Sequence, residues 1–155
     1  MITTLKDLKK RMLDYVSTFS AGRPDATEQK IVEWAQAHAN AADQVLKAAQ
    51  ILKKTELDSE YVTANLNDPN VFINLKGHLQ KLSNATKEFE ALVKSGKIFR
   101  TKEGRIGGQT MELGLVSYAV KSLLEAQVAK VDAAVASKGE ESTQKQWEGF
   151  RGNLF

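Results

Sequence analysis

Residues 25–57 read DATEQKIVEWAQAHANAADQVLKAAQILKKTEL, and this stretch decides the fold. Asp25-Ala-Thr-Glu28 has the form of a capping box, in which two side chains satisfy each other's backbone N–H groups at a helix start. Beyond it, Ile31, Ala35, His38, Ala42, Val45, Ala49 and Leu52 alternate four and three apart. That spacing places them on one face of a long helix. The seam runs for about three heptads and is rich in alanine. Small residues let a neighbouring helix approach closely, so the seam suits another helix of the same chain or a second copy of it. As a subunit interface it comprises Ile31, Ala35, His38, Ala42, Val45 and Ala49. Trp34 lies beside it.

Working outward, residues 1–22 read as an N-terminal helix. Leu5, Leu8, Met12, Tyr15 and Val16 share one face, and Lys6, Lys9, Lys10 and Arg11 occupy the rest. Ser20-Ala-Gly-Arg-Pro24 breaks it. After residue 57, residues 58–67 form a short helix capped by Asp58 or Ser59, and Asn67-Asp-Pro-Asn70 is a turn signal. A helix over 71–95 carries Phe72, Leu75, Leu79, Leu82, Phe89 and Val93, with Thr86 filling one heptad place, and Gly96 follows it. The period then breaks. In residues 97–108, Ile98 and Phe99 on one side and Ile106 on the other flank Lys102-Glu-Gly104, the pattern of a short hairpin or stiff loop. A last long helix covers 110–137, with Leu113, Val116, Val120, Leu124, Val128, Val131 and Val135 on its apolar side. The expected fold is all-α: a bundle of three long helices plus one or two short ones, with a small β-hairpin between the last two long helices. Residues 1–137 form this helical domain, and residues 138–155 a flexible tail with an aromatic end.

The chain has 155 residues, 42% of them apolar and 26% charged, which is ordinary for a globular domain. It has no cysteine, which excludes disulfide scaffolds, thiol catalysis and Cys-ligated metal. No apolar run approaches the roughly 20 residues of a membrane span, and charges interrupt the N-terminus where a signal peptide is apolar. A cytoplasmic (host cell) or virion-associated setting is expected, with no membrane, cofactor or metal. Walker-type loops, Gly-x-Gly-x-x-Gly, His-Glu-x-x-His and Gly-x-Ser-x-Gly are all missing. His38 sits on the apolar seam as a packed histidine or a buried base, and His78 lies just off the stripe of its helix. Glu88 and Glu90 do not share a helix face. A non-catalytic protein is expected.

The net charge of +3 conceals two basic patches. Lys6, Lys9, Lys10 and Arg11 stand against Asp7 alone. Lys94, Lys97, Arg100, Lys102 and Arg105 stand against Glu103 alone, on and beside the predicted hairpin. Basic residues along a hairpin can lie on a phosphate backbone, or simply keep a loop soluble. Trp147, Phe150, Leu154 and Phe155 follow the polar spacer, and large apolar side chains there require something to dock on: the chain's own bundle or a partner protein.

At Leu92-Val-Lys-Ser-Gly96, then Lys-Ile-Phe-Arg-Thr101, then Lys-Glu-Gly104 and a long helix, the chain resembles the central part of phage small terminase subunits of the P27-like kind. The resemblance covers about 50 residues, including the preceding helix with Leu79, Leu82 and Phe89. Gly107-Gly108-Gln109 stands where those proteins usually carry Asn-Pro, and their closing Gly-Leu-Thr-Pro-type turn is missing after Val135. The resemblance implies a ring-forming, non-catalytic, oligomeric DNA-packaging component that binds double-stranded DNA and regulates a separate motor subunit. In that reading the two basic patches contact DNA phosphates, the alanine seam assembles the homo-oligomer, and the aromatic end engages a large partner protein. The rival expectation is a helical virion structural or adaptor protein that binds no nucleic acid.

Overall fold

A computed structural model describes residues 2–54, 60–102, 104–107 and 111–155. The described elements are α1 (Ile2–Ser20), α2 (Ala26–Lys54), α3 (Glu60–Ala64), α4 (Pro69–Lys94), β1 (Ile98–Thr101), β2 (Gly104–Gly107), α5 (Met111–Lys138) and α6 (Glu141–Arg151). The all-α class with a small hairpin between the last two long helices is therefore the fold. The caps proposed at Asp58 or Ser59 lie outside the described residues.

Local chemistry sets the helix boundaries. The chain leaves α1 through Gly22, whose φ of 77° suits a residue without a Cβ. The capping box then forms reciprocally: the Glu28 N–H donates to Asp25 Oδ1 at 2.7 Å, and the Asp25 N–H donates to Glu28 Oε1 at 3.3 Å. The turn signal at 67–70 proves to be a helix start. Pro69 takes the first position of α4, where its missing N–H costs nothing, and Asp68 Oδ1 accepts from the Asn70 N–H at 2.9 Å.

The apolar stripes become the core. Leu5, Leu8 and Met12 of α1 are buried, as are all the stripe residues of α4 and α5. So is the whole seam of α2, from Ile31 to Leu52. The chain divides into two compact units. One comprises Met1–Leu46 and Thr86–Val120, and the other Lys47–Ala85 and Lys121–Phe155. The hairpin and both basic patches belong to the first unit.

In the second unit the C-terminal segment differs from the expected flexible tail. Residues 141–151 form α6, and both Trp147 and Leu154 are buried. The Trp147 indole donates to Asp132 Oδ1 at 2.7 Å, and the Arg151 guanidinium grips both oxygens of the same carboxylate at 2.8–3.1 Å. The Leu154 carbonyl accepts from the Ser83 hydroxyl. At the other end of α6, the Asn67 amide donates to the Lys138 carbonyl at 2.9 Å. Its oxygen accepts from the Glu140 N–H at 2.7 Å and the Thr143 hydroxyl at 2.8 Å. Asn67 thus satisfies a carbonyl at the end of α5 and N–H and O–H donors at the start of α6, groups that neither helix can satisfy internally. Spacer residues that look soluble in isolation are ordered by partners up to 76 positions away.

Candidate nucleic-acid interface

The hairpin pairs Ile98 with Gly107, Phe99 with Ile106, Arg100 with Arg105 and Thr101 with Gly104. Side chains alternate between the faces of a strand, so Phe99 and Ile106 share one face and Ile98, Arg100 and Arg105 the other. Phe99 is buried, whereas Ile98 is 62% exposed and both arginines are exposed. The hairpin therefore has an anchored face and an outward, basic one.

The anchor is Trp34, one turn before His38 on α2. The Phe99 ring meets Trp34 edge-on, with centroids 5.9 Å apart at 68°. Tyr15 of α1 lies 6.5 Å from Trp34 on a tilt. At the base of the hairpin, Gly107 has a φ of 86°. A methyl group there would stand 2.7 Å from the Lys97 carbonyl oxygen and 3.0 Å from the Trp34 ring. Glycine is required at this point twice over, by its dihedral angle and by the close approach of the indole.

Beneath Trp34 lies His38, 1% exposed, its ring centroid 4.6 Å from that of the indole. His38 Nδ1 is 2.8 Å from the Trp34 carbonyl oxygen, which can only accept, so Nδ1 carries the proton. His38 Nε2 and Trp34 Nε1 are buried with no hydrogen-bond partner among the described residues. Burial pushes His38 below the usual imidazole pKa, and the bond to the Trp34 carbonyl offsets part of that. A cavity of about 230 Å³ adjoins these rings, with Ala37 and Leu92 as apolar lining and Lys30, Glu33, Ser95 and Lys97 as polar lining. Among the described residues no group of three or more His, Cys, Asp or Glu side chains is placed to hold a metal ion.

The basic residues divide into two kinds. Lys97, Arg100, Lys102 and Arg105 are exposed, and Lys97, Arg100 and Arg105 enter no ion pair among the described residues. Lys102 at the tip helps lower the pKa of Asp25, after the larger effect of the Glu28 N–H bond. Lys94 and Arg11 interact within the chain. In the N-terminal patch, Lys9 is engaged by Asp43 at 2.8 Å, while Lys6 and Lys10 are exposed.

Two groups of sequence-nominated residues are placed differently. Ile31, Ala35, His38, Ala42, Val45 and Ala49 are at most 6% exposed in a single chain, so this seam is filled by intramolecular packing and offers no surface to a second copy. Of the aromatic end, Trp147 and Leu154 are buried against their own chain and Phe150 is half-buried 6.0 Å from Trp147, leaving Phe155 exposed. A short partner-recognition tail is replaced by an internal dock. His78 is half-buried on α4. Trp34 and Gly107 join the site only through the folded structure. The signals were present: a tryptophan four residues before a seam histidine, and a glycine inside a strand.

No family model, no curated protein and no solved structure matches this chain. The site and the fold define it as a helical protein that presents a basic hairpin on an aromatic seat.

Proposed function

We propose that the protein binds the phosphate backbone of nucleic acid through the outward face of its hairpin. One observation carries this reading: Arg100 and Arg105 stand directly opposite each other across the two strands, both exposed. Like charges in a cross-strand pair destabilise a hairpin by a few tenths to about 1 kcal/mol. The pair is nonetheless held in place by Phe99 and Trp34 on the reverse face. A polyanion relieves the repulsion, because one phosphate can accept from both guanidinium groups. Lys97 and Lys102 extend the same charge along the base and the tip. Among the described residues no group on this face is arranged for base-specific readout, so the expected mode is backbone contact, with double-stranded DNA as the first ligand to test. The resemblance to phage small terminases would make this a packaging component acting beside a separate motor. The docked α6 and the filled seam mean that assembly and partner contacts in that role would use other surfaces.

The test is retention on duplex DNA at low salt. Changing Lys97, Arg100, Lys102 and Arg105 together to Glu should abolish retention while leaving the helical signal intact. Retention unchanged in a folded quadruple variant would overturn the hairpin as the binding face, and no retention of the unaltered protein would favour the adaptor that binds no nucleic acid.

A further inference from the structure

The hairpin rests on a seat containing two buried polar atoms with no hydrogen-bond partner among the described residues. His38 Nε2 and Trp34 Nε1 are both sealed, and the Trp34 ring touches the hairpin through Phe99 and Gly107. A buried donor or acceptor without a partner is unfavourable, and displacement of whatever covers it returns it to water. With Nδ1–H committed to the Trp34 carbonyl, Nε2 is the lone-pair nitrogen of a neutral imidazole. It is the atom that a proton from solvent would join.

We propose that His38 is a pH-responsive latch under the hairpin: when it gains a proton, the hairpin loosens from its Trp34 seat. Three features of the geometry support this. Protonation turns Nε2 from an unpaired acceptor into an unpaired N⁺–H donor in a buried position, which is far worse than a neutral orphan. The charged groups lining the adjoining cavity are Lys30 and Glu33 from α2 and Lys97 from the chain entering β1, two cations against one carboxylate. From α1, Tyr15 packs against the Trp34 ring. Burial is the larger influence on this imidazole and opposes its charged form, while a hairpin that leaves its seat shifts Lys97 in the cavity wall and lets water reach the ring. The third feature is the tightness of the seat: with Gly107 against the indole, a shift of Trp34 cannot be absorbed without moving the hairpin.

The sign follows from linkage. The docked state binds this proton less well than the undocked one, because burial lowers the affinity of His38 for it. Docking is thus at full strength above about pH 6.5, the ordinary imidazole value, and weakens as pH falls below it. The change is at most about tenfold in the docking equilibrium per pH unit, since one proton is involved. It levels off once the pH passes the lowered value of the docked state.

The experiment uses the whole protein without nucleic acid, so it stands apart from the DNA-binding reading. Amide hydrogen exchange of β1 and β2 is followed from pH 7.5 to 5.0, corrected for intrinsic exchange rates. Hairpin protection should be constant above about pH 6.5 and fall by up to tenfold per unit below it, while α6 in the other unit stays protected. His38→Gln should remove this pH dependence, and His78, still present, should not restore it. Hairpin protection independent of pH, or equally pH-dependent in His38→Gln, would overturn the proposal. Should that variant not fold, ¹⁵N NMR titration of the wild-type imidazole decides. A His38 midpoint below 6.5 that tracks the hairpin resonances supports the latch, and a midpoint at or above 6.5 sinks it.

Discussion

At the scale of single residues, Gly107 and Trp34 fix where the basic face points. Gly107→Ala sets a Cβ against a backbone carbonyl and an indole and imposes a positive φ on an L side chain. The expected loss of stability is about 1–3 kcal/mol, read from urea denaturation. Hairpin amides should lose protection before the helices do. Asp132 is the corresponding residue in the other unit. Partial burial raises its pKa, but hydrogen bonds from Arg151 and Trp147 and the charge of Arg151 outweigh this and leave it below the carboxylate norm. A carboxyl group whose pKa is lowered on folding stabilises the fold above its unfolded value of about 3.8, and that contribution fades as pH falls through the lower, folded value. Asp132→Asn should therefore reduce stability at pH 7 and flatten the acid limb of the stability curve below about pH 4. An unaltered acid limb would assign the acid sensitivity to other carboxylates.

At the scale of elements, the boundaries come from small polar groups. Asp25→Ala removes one half of the capping box at the start of α2 and should lower the midpoint of thermal or urea unfolding. Asn67→Ala is expected to do more than its half-buried setting suggests. Three hydrogen bonds converge on that amide, from the end of α5 and the start of α6. A loss of about 1–3 kcal/mol is expected, together with early fraying of α6 visible by hydrogen exchange. Equal protection of α6 in the variant and the parent would show that Trp147 and Leu154 alone hold the helix.

At the scale of the whole molecule, charge distribution matters more than the total. A net charge of +3 on 155 residues gives no general attraction for polyanions. Any affinity for DNA must come from local concentration of charge, and the four exposed hairpin cations provide it. If each neutralises one phosphate, log affinity should fall against log salt with a slope of about −3.6 on duplex DNA. A slope near zero would remove phosphate contact as the basis of binding. A much steeper one would implicate Lys6 and Lys10 as well.

Much of this architecture was legible in the residues. The stripes of α2, α4 and α5, the capping box and the hairpin between Lys97 and Gly108 all follow from spacing and turn chemistry, because these are local preferences reinforced by an apolar face. The residues of the basic face were legible too, since alternation along a strand sends Arg100 and Arg105 to the same side once Phe99 turns inward. Three decisions belonged to the tertiary structure alone. Periodicity says which residues seek burial, but not whether a neighbour of the same chain or a second copy supplies it, so the filling of the alanine seam could not be read in advance. The ordering of α6 depends on Asn67, Ser83 and Asp132, groups brought together only by folding, and a polar spacer carries no local mark of distant partners. The pairing of Trp34 with His38 under the hairpin is likewise a product of packing. A helix face can bring an indole and an imidazole within one turn of each other, but only the folded chain sets Phe99 and Gly107 against that indole.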